Sequence, residues 1–272
     1  GTIAPSHDFK ISPGGGNLLV QETRDGIDHL RIFAFKNGSL GKEVPPFIKG
    51  SFVIWNTRWL SDREVVYTLE NNEKPTFIQS FNLATGETAN WTKGRLPAAL
   101  DGTVGAPEVI RWNSFDNMEI TGYIVRPRTK TGRLPVLIRV HGGPQVQDRP
   151  IFDPTDALLA LQLGVSIIHT NIRGSSGFGR SFMDADDREK REHAVKDIRT
   201  LLDWVEKQKD LDPRQIYLQG QSYGGFVVLS TAMHEPTRVK AVIAESPVVS
   251  IRGYLSQSWV NDFMKTEYGD PK

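Results

Sequence analysis

The chain contains no cysteine, which excludes disulfides and thiolate metal sites and leaves the redox compartment open. It also has no excess of either charge. Lysine and arginine number 33 against 32 aspartate and glutamate, for a net charge of +1. No basic field therefore points to nucleic acid, and no acidic tail to a basic partner. No apolar run reaches the length of a membrane span, and no stretch near the start resembles a signal peptide. A membrane is not implied, and the compartment stays undecided, with the cytoplasm slightly favoured. Also missing are His-Glu-x-x-His, a P-loop, and a Gly-x-Gly-x-x-Gly that follows a strand. Their absence leaves no sequence argument for a metalloprotease, a nucleoside triphosphatase or a dinucleotide enzyme. No metal or organic cofactor is expected. Sequons at Asn37 and Asn90 occur at about the chance frequency and decide nothing about secretion.

What is present divides near residue 100. Residues 17–35 and 64–83 each read as two short strands around a polar turn. The two halves also answer each other: Ile11-Ser12-Pro13 with Leu60-Ser61-Asp62, Leu19-Val20 with Val66-Tyr67, and Gly38 with Gly86, at offsets of 49, 47 and 48 residues. A strand-built repeat of roughly 40–50 residues marks β-propeller blades. Residues 1–100 are therefore expected to be a partial propeller of about two blades, a small antiparallel β-domain being the alternative. The periodicity-free stretch Pro97–Pro107 serves as the linker.

Residues 101–272 alternate strand and helix patterns. Strands are expected at 108–112, 119–126, 133–141, 165–171, 215–220 and 239–246. Helices are expected at 153–164, 186–208 and 224–234, the second carrying an apolar stripe of Val195, Ile198, Leu201, Leu202 and Val205. Such alternation implies an α/β domain with a mostly parallel sheet.

One junction in that domain carries chemistry. Gly220-Gln-Ser222-Tyr-Gly224-Gly fits the Gly-x-Ser-x-Gly nucleophile elbow, with a strand before it and a helix after it. A serine there occupies a strained turn. Side chains two residues to either side would collide with the neighbouring helix and strand, so glycine is expected at 220 and 224. The Tyr223 N–H falls at a helix N-terminus, where a developing oxyanion is favoured. A second donor is expected from the loop after an earlier strand, and His141-Gly142-Gly143-Pro144 lies there with the Gly143 N–H available. His141 precedes the serine, whereas the base of such an elbow follows it. It is read as a loop-shaping or substrate-contacting residue.

Four ordered motifs, VHGGP, NIRGSSGFG (171–179), DPRQIYLQGQSYGG (212–225) and EYGDP (267–271), resemble the prolyl oligopeptidase family of serine peptidases. The nearest branch is the one containing acylaminoacyl-peptidases and dipeptidyl-peptidases. The resemblance covers about residues 100–272. It implies an α/β-hydrolase domain capped by an N-terminal propeller that restricts access to short peptides. By motif, it makes Ser222 the nucleophile and gives Tyr223 and Gly143 the oxyanion N–H groups. Arg173 becomes a wall support or candidate substrate contact.

The histidine and aspartate that would complete a triad are not found. His234 is the only histidine after Ser222. It lies twelve residues along the outgoing helix, hence about 18 Å away along its axis, far beyond hydrogen-bond reach. His169 and His193 read as structural, and His7 and His29 lie in the blade region. Asp262 and Asp270 have no histidine after them. The acidic residues Asp184, Asp186 and Asp187 read as a solvated helix start rather than a metal site. The chain opens on Gly1 without methionine, so it is read as a segment of a longer protein. In that reading the propeller is incomplete at the N-terminus, the hydrolase domain is incomplete at the C-terminus, and the catalytic Asp and His are encoded beyond Lys272. The expected function is serine-type hydrolysis of short peptides through an acyl-enzyme, with the 272 residues alone inactive. A carboxylesterase of the same fold and a non-catalytic binding protein are the rivals. Oligomeric state stays open, a homo-oligomer being compatible.

Overall fold

The computed structural model describes residues 6–128, 130–257 and 262–269. The chain forms two compact units. One runs to Gly102 and includes Arg149–Pro154; the other comprises Thr103–Asp148 and the residues from Thr155 onward.

The first unit holds two four-stranded antiparallel meanders. β1 (Ser6–Ile11), β2 (Asn17–Arg24), β3 (Ile27–Lys36) and β4 (Ser39–Glu43) form one sheet. β5 (Val53–Ser61), β6 (Glu64–Asn71), β7 (Lys74–Asn82) and β8 (Glu87–Asn90) form the other, each sheet in sequential order. Four sequential strands make one propeller blade. The central pairs β2–β3 and β6–β7 are the strands that the repeat predicted, and the outer strands complete each blade. Turn chemistry sets the register. Asp25-Gly26 and Asn37-Gly38 all take positive φ, the conformation that tight two-residue hairpins require. Period-two alternation on β6, seen in the buried Val65, Tyr67 and Leu69, builds a shared core with Leu19, Ile32 and Phe81. Phe47 stacks on Phe81 with ring centroids 4.2 Å apart. The repeat positions also bond between blades: Trp59 Nε1 donates to Lys10 O at 3.0 Å, and Asn17 Nδ2 donates to Asp62 O at 2.9 Å.

The second unit is a six-stranded mixed sheet built from β9 (Glu108–Asn113), β10 (Glu119–Val125), β11 (Leu134–Val140), β12 (Ser166–Asn171), β13 (Leu211–Gln221) and β14 (Val239–Glu245), in the order β14-β13-β11-β12-β10-β9. β14, β13, β11 and β12 pair in parallel, while β10 is antiparallel to both β12 and β9. Helix α1 (Pro154–Leu163) follows β11. The short α2 (Arg180–Met183) and the long α3 (Arg191–Glu206) separate β12 from β13. α4 (Tyr223–His234) leads to β14, and α5 (Ile251–Leu255) and α6 (Asp262–Tyr268) come last.

Successive side chains of the strands point to opposite faces. Ile124, Ile138 and Ile168 therefore pack with α3 and α4, whereas Val125, Leu137 and Ile167 pack with Ala160 of α1. Helices thus cover both faces of the sheet. The predicted stripe on α3, Val195, Ile198, Leu201, Leu202 and Val205, is at most 1 % exposed. Each of these side chains contributes roughly 1.5–3 kcal/mol of burial.

Residues 186–190 correct the expected helix 186–208. They form two short 3-10 turns, 184–186 and 188–190, with Arg188 at φ 54°. The α-helix begins only at Arg191. Asp186 is also not solvated: it is fully buried in the first of these turns.

Candidate active site

The chain rises through β13 to Gln221 and turns at Ser222 directly into α4. Ser222 has φ 53° and ψ −114°, a strained conformation for a residue with a Cβ, costing on the order of 1–3 kcal/mol. Backbone bonds hold it there. Its N–H donates to Glu245 O at 2.8 Å, and its carbonyl accepts from Phe226 N at 3.2 Å and Val248 N at 3.3 Å. A methyl group on Gly220 would run into the Gly224 carbonyl at the helix start, and one on Gly224 would run into Val140 O and His141 O of β11 and its loop. The steric argument made from the motif thus has named partners. Gly225, which the motif reading did not single out, is also crowded, though less so: a methyl there would lie 2.8 Å from the Pro247 side chain.

The loop after β11 lies against this turn. A methyl on Gly142 would lie 3.4 Å from the Ser222 Cβ. Gly143 has φ 120° and precedes a cis peptide bond to Pro144. Tyr268 Oη donates to its carbonyl at 3.3 Å. Among the described residues no backbone hydrogen bond engages the N–H of Gly143 or of Tyr223, and Tyr223, as the first residue of α4, has no intrahelical partner for its N–H. His141 is half-buried. Its Nδ1 lies 2.7 Å from Gly142 O and its Nε2 2.9 Å from the Ser175 hydroxyl, which itself donates to Ile172 O at 2.6 Å. It ties the 141–144 loop to the 171–179 loop.

Arg173 is 1 % exposed. Its guanidinium spans Asp116, at 2.9 and 3.0 Å, and Asp197 of α3, at 2.8 Å from Nη2, while its backbone N–H also donates to Asp197 at 3.0 Å. With its fork turned to two carboxylates, Arg173 is placed to support the loop wall rather than to meet a ligand. Arg173 holds Asp116 at about 2, well below the ordinary carboxylate value.

Sequence reasoning missed a second buried group directly behind the elbow. The Tyr223 hydroxyl donates to Asp186 Oδ2 at 2.6 Å, and Arg191 Nη1 donates to the same oxygen at 2.5 Å. Arg191 Nη2 reaches Glu267 Oε1 at 2.9 Å, and Gln145 Nε2 donates to Glu267 Oε2 at 2.7 Å. Burial, helped by the neighbouring Glu267 and Asp187 charges, pushes Asp186 up to about 7 against the pull of Arg191 and Tyr223. Asp186, Asp187 and Glu267 bring carboxylate oxygens within 4.8 Å of one another, but the Arg191 cation already occupies the position that would compensate them. No local signal marks these residues, because Asp186 and Arg191 sit in a charged run typical of a solvated surface.

His234 ends α4, is 53 % exposed and lies 4.0 Å from Glu192, as expected for a residue at the far end of the outgoing helix. His193 packs edge-on against Phe115 at 4.9 Å. His169 is buried between Asp148 and Asp156. His7 and His29 lie on β1 and β3 of the first unit. No histidine of the described residues hydrogen-bonds the Ser222 hydroxyl; Asp270 lies outside the described residues.

Residues 151–272 match the model of the prolyl oligopeptidase family. This stretch resembles the prolyl oligopeptidase family. The prolyl oligopeptidase motifs NIRGSSGFG, DPRQIYLQGQSYGG and EYGDP fall inside it, and VHGGP lies just before it. The chain is 25 % identical over 234 residues to dipeptidyl aminopeptidase BIII of Pseudoxanthomonas mexicana, covering 80 % of this chain and 33 % of that protein. It is 28 % identical over 145 residues to the acylamino-acid-releasing enzyme of Rattus norvegicus, covering 53 % of this chain and 20 % of that enzyme. The chain thus spans a third or less of these relatives. Among solved structures it resembles prolyl oligopeptidase B of Galerina marginata with a TM-score of 0.83 and 18 % identity, over 99 % of this chain and 37 % of that one. The fold is an α/β-hydrolase sheet preceded by β-propeller blades.

Proposed function

We propose that the protein carrying this chain is a serine peptidase that hydrolyses short peptides through an acyl-enzyme on Ser222. The observation that carries the reading is the strained Ser222 turn, φ 53°, packed beneath the Gly142–Gly143 loop. A non-glycine residue held in such a conformation at a strand-to-helix junction serves to present its hydroxyl.

In this mechanism Ser222 Oγ attacks the scissile carbonyl and its proton passes to a histidine base. That base and its orienting carboxylate come from outside these 272 residues, a reading supported by the ring contacts of His141, which go to Gly142 O and the Ser175 hydroxyl, and by the position of His234 at the far end of α4. The N–H groups of Tyr223 and Gly143 receive the oxyanion, each worth about 10²–10³ in turnover. Collapse of the tetrahedral intermediate expels the amine with the proton carried by the histidine. Water then cleaves the ester by the same route. His141 shapes the loop that carries Gly143, and Arg173 supports the facing loop. No metal or organic cofactor has a step in this chemistry.

The test uses the whole natural protein. A fluorophosphonate probe should label Ser222, and Ser222→Ala should abolish both labelling and hydrolysis of N-blocked or free dipeptide amides. Hydrolysis of p-nitrophenyl esters without any amide turnover would favour a carboxylesterase. Tight peptide binding with no labelling would favour a binding protein. The isolated 272 residues should label at a rate lower by several orders of magnitude, because the base is missing.

A further inference from the structure

Five side chains from four separated stretches of the second unit form one hydrogen-bonded line behind the elbow. From one end it runs Tyr223, Asp186, Arg191, Glu267, Gln145, with hydrogen bonds of 2.6, 2.5, 2.9 and 2.7 Å. Arg191 also donates to the Glu267 backbone carbonyl. Its guanidinium lies 5.0 Å over the Tyr223 ring and 4.6 Å over the Tyr268 ring, and Tyr268 donates to Gly143 O. Asp186, Arg191, Glu267 and Tyr223 are each at most 4 % exposed.

Each end of this line holds a segment that bears a proposed oxyanion donor. Tyr223 carries its donor on its own backbone. Gln145 is two residues from Gly143, and the Gly143 carbonyl is held separately by Tyr268.

Burying three charged groups costs several kcal/mol per ion, and a well-packed apolar cluster of the same volume generally gives equal or greater stability. Stability alone therefore does not account for the cluster. What an arginine fork adds is direction: it fixes two carboxylates relative to each other in one plane, and each carboxylate then orients one donor-bearing segment. Oxyanion donors act only when held within about 0.5 Å of the productive geometry. We propose that Arg191, acting through Asp186 and Glu267, is a positioning residue that fixes the Tyr223 and Gly143 N–H groups relative to each other. The inference rests on the reading of Ser222 as nucleophile.

Two peripheral changes test it without removing a buried charge. In the whole natural protein, Tyr223→Phe keeps the backbone donor but cuts the bond to Asp186, and Gln145→Leu cuts the bond to Glu267. Each should lower kcat for a peptide amide by about 10- to 100-fold while KM stays within about threefold, since the loss falls on the transition state. Because both break one line, the double variant should lose little more than the worse single. Arg191→Lys, which keeps the charge but not the fork, should show the same split between kcat and KM.

A normal kcat in either single variant, with thermal stability alone reduced, overturns the proposal. So do losses that multiply in the double variant, which would mean two independent sites. Ser222→Ala separates the two levels of the argument. If it abolishes turnover while Tyr223→Phe and Gln145→Leu are silent, only the positioning role falls. If it leaves turnover intact, the nucleophile reading falls and takes this inference with it.

Discussion

At position 224 the constraint is a matter of a single methyl group. The atoms it would meet, Val140 O and His141 O, are backbone, so no rotamer change relieves the overlap. Gly224→Ala should destabilise the fold by about 3 kcal/mol, the upper end of the range for overpacking a tight site. Gly16→Ala, at a position with nothing within 4 Å, should change stability by less than about 0.5 kcal/mol. Urea denaturation of the two variants side by side checks the contrast, and a mild Gly224→Ala would mean that the elbow can open. Gly220 and Gly224 were legible in the sequence because the strand–Ser–helix junction imposes its sterics within a few residues. Asp186, Arg191 and Glu267 were not, because, apart from the Asp186–Arg191 contact itself, the partners that bury them lie 37, 76 and 122 residues away. Nothing in a short window distinguishes an inward charge in Asp-Asp-Arg-Glu-Lys-Arg from a solvated one.

At the scale of elements, periodicity placed the strands β11 and β13 and the helix α4 that frame Ser222, but not α6, which carries Glu267 and Tyr268, and it failed where a tertiary contact overrode it. The expected helix from 186 begins at Arg191, because Asp186 bonds Tyr223 and Arg191 instead of facing water on a first turn. In the blades, the repeat exposed the central pairs β2–β3 and β6–β7. The outer strands β4 and β8 are short and largely exposed, so they lack the apolar alternation by which a strand is read.

The same scale holds the role of Arg173. It joins the loop after β12 to α3 through Asp197, whose side chain is 0 % exposed and also accepts from Ser114 Oγ at 2.5 Å. Arg173→Ala would leave that carboxylate buried without its cation, which costs about 3–5 kcal/mol. Arg173→Lys should recover only part of this, since an ammonium cannot serve Asp116 and Asp197 as a planar fork does. Equilibrium unfolding in urea checks both variants. A loss below about 1 kcal/mol for Arg173→Ala would show that the loop and helix are held by apolar packing alone.

For the molecule as a whole, the pH dependence of stability depends strongly on His169. The ring is buried, stacked on Tyr123 at 4.5 Å, and lies 3.2 Å from Asp148 and 2.7 Å from Asp156, which also pairs with Arg139 at 2.9 Å. Burial opposes its charge, but the two carboxylates outweigh that and raise it to about 9. A group whose pKa is higher in the folded than in the unfolded chain binds its proton more tightly when folded. Its stabilisation is therefore complete below the ordinary histidine value of about 6.5 and disappears as the pH climbs through 9. The opposite sign holds for Asp116 and Asp148, whose values are lowered; they stabilise above the ordinary aspartate value and cease to do so in acid. These groups lower stability in acid and again above the ordinary histidine value, and Asp186, raised to about 7, adds a loss as the pH climbs from the ordinary aspartate value through 7. The alkaline decline between pH 6.5 and 9.5 should be on the order of 3 kcal/mol. His169→Gln should remove most of that decline and, on the acid side, the part due to Asp148, whose value His169 lowers, while leaving the part due to Asp116, which pairs with Arg173. Unfolding midpoints measured every half unit from pH 4 to 10 decide it. An equally steep alkaline decline in His169→Gln would mean that the proton is lost elsewhere and that His169 is held neutral between its carboxylates.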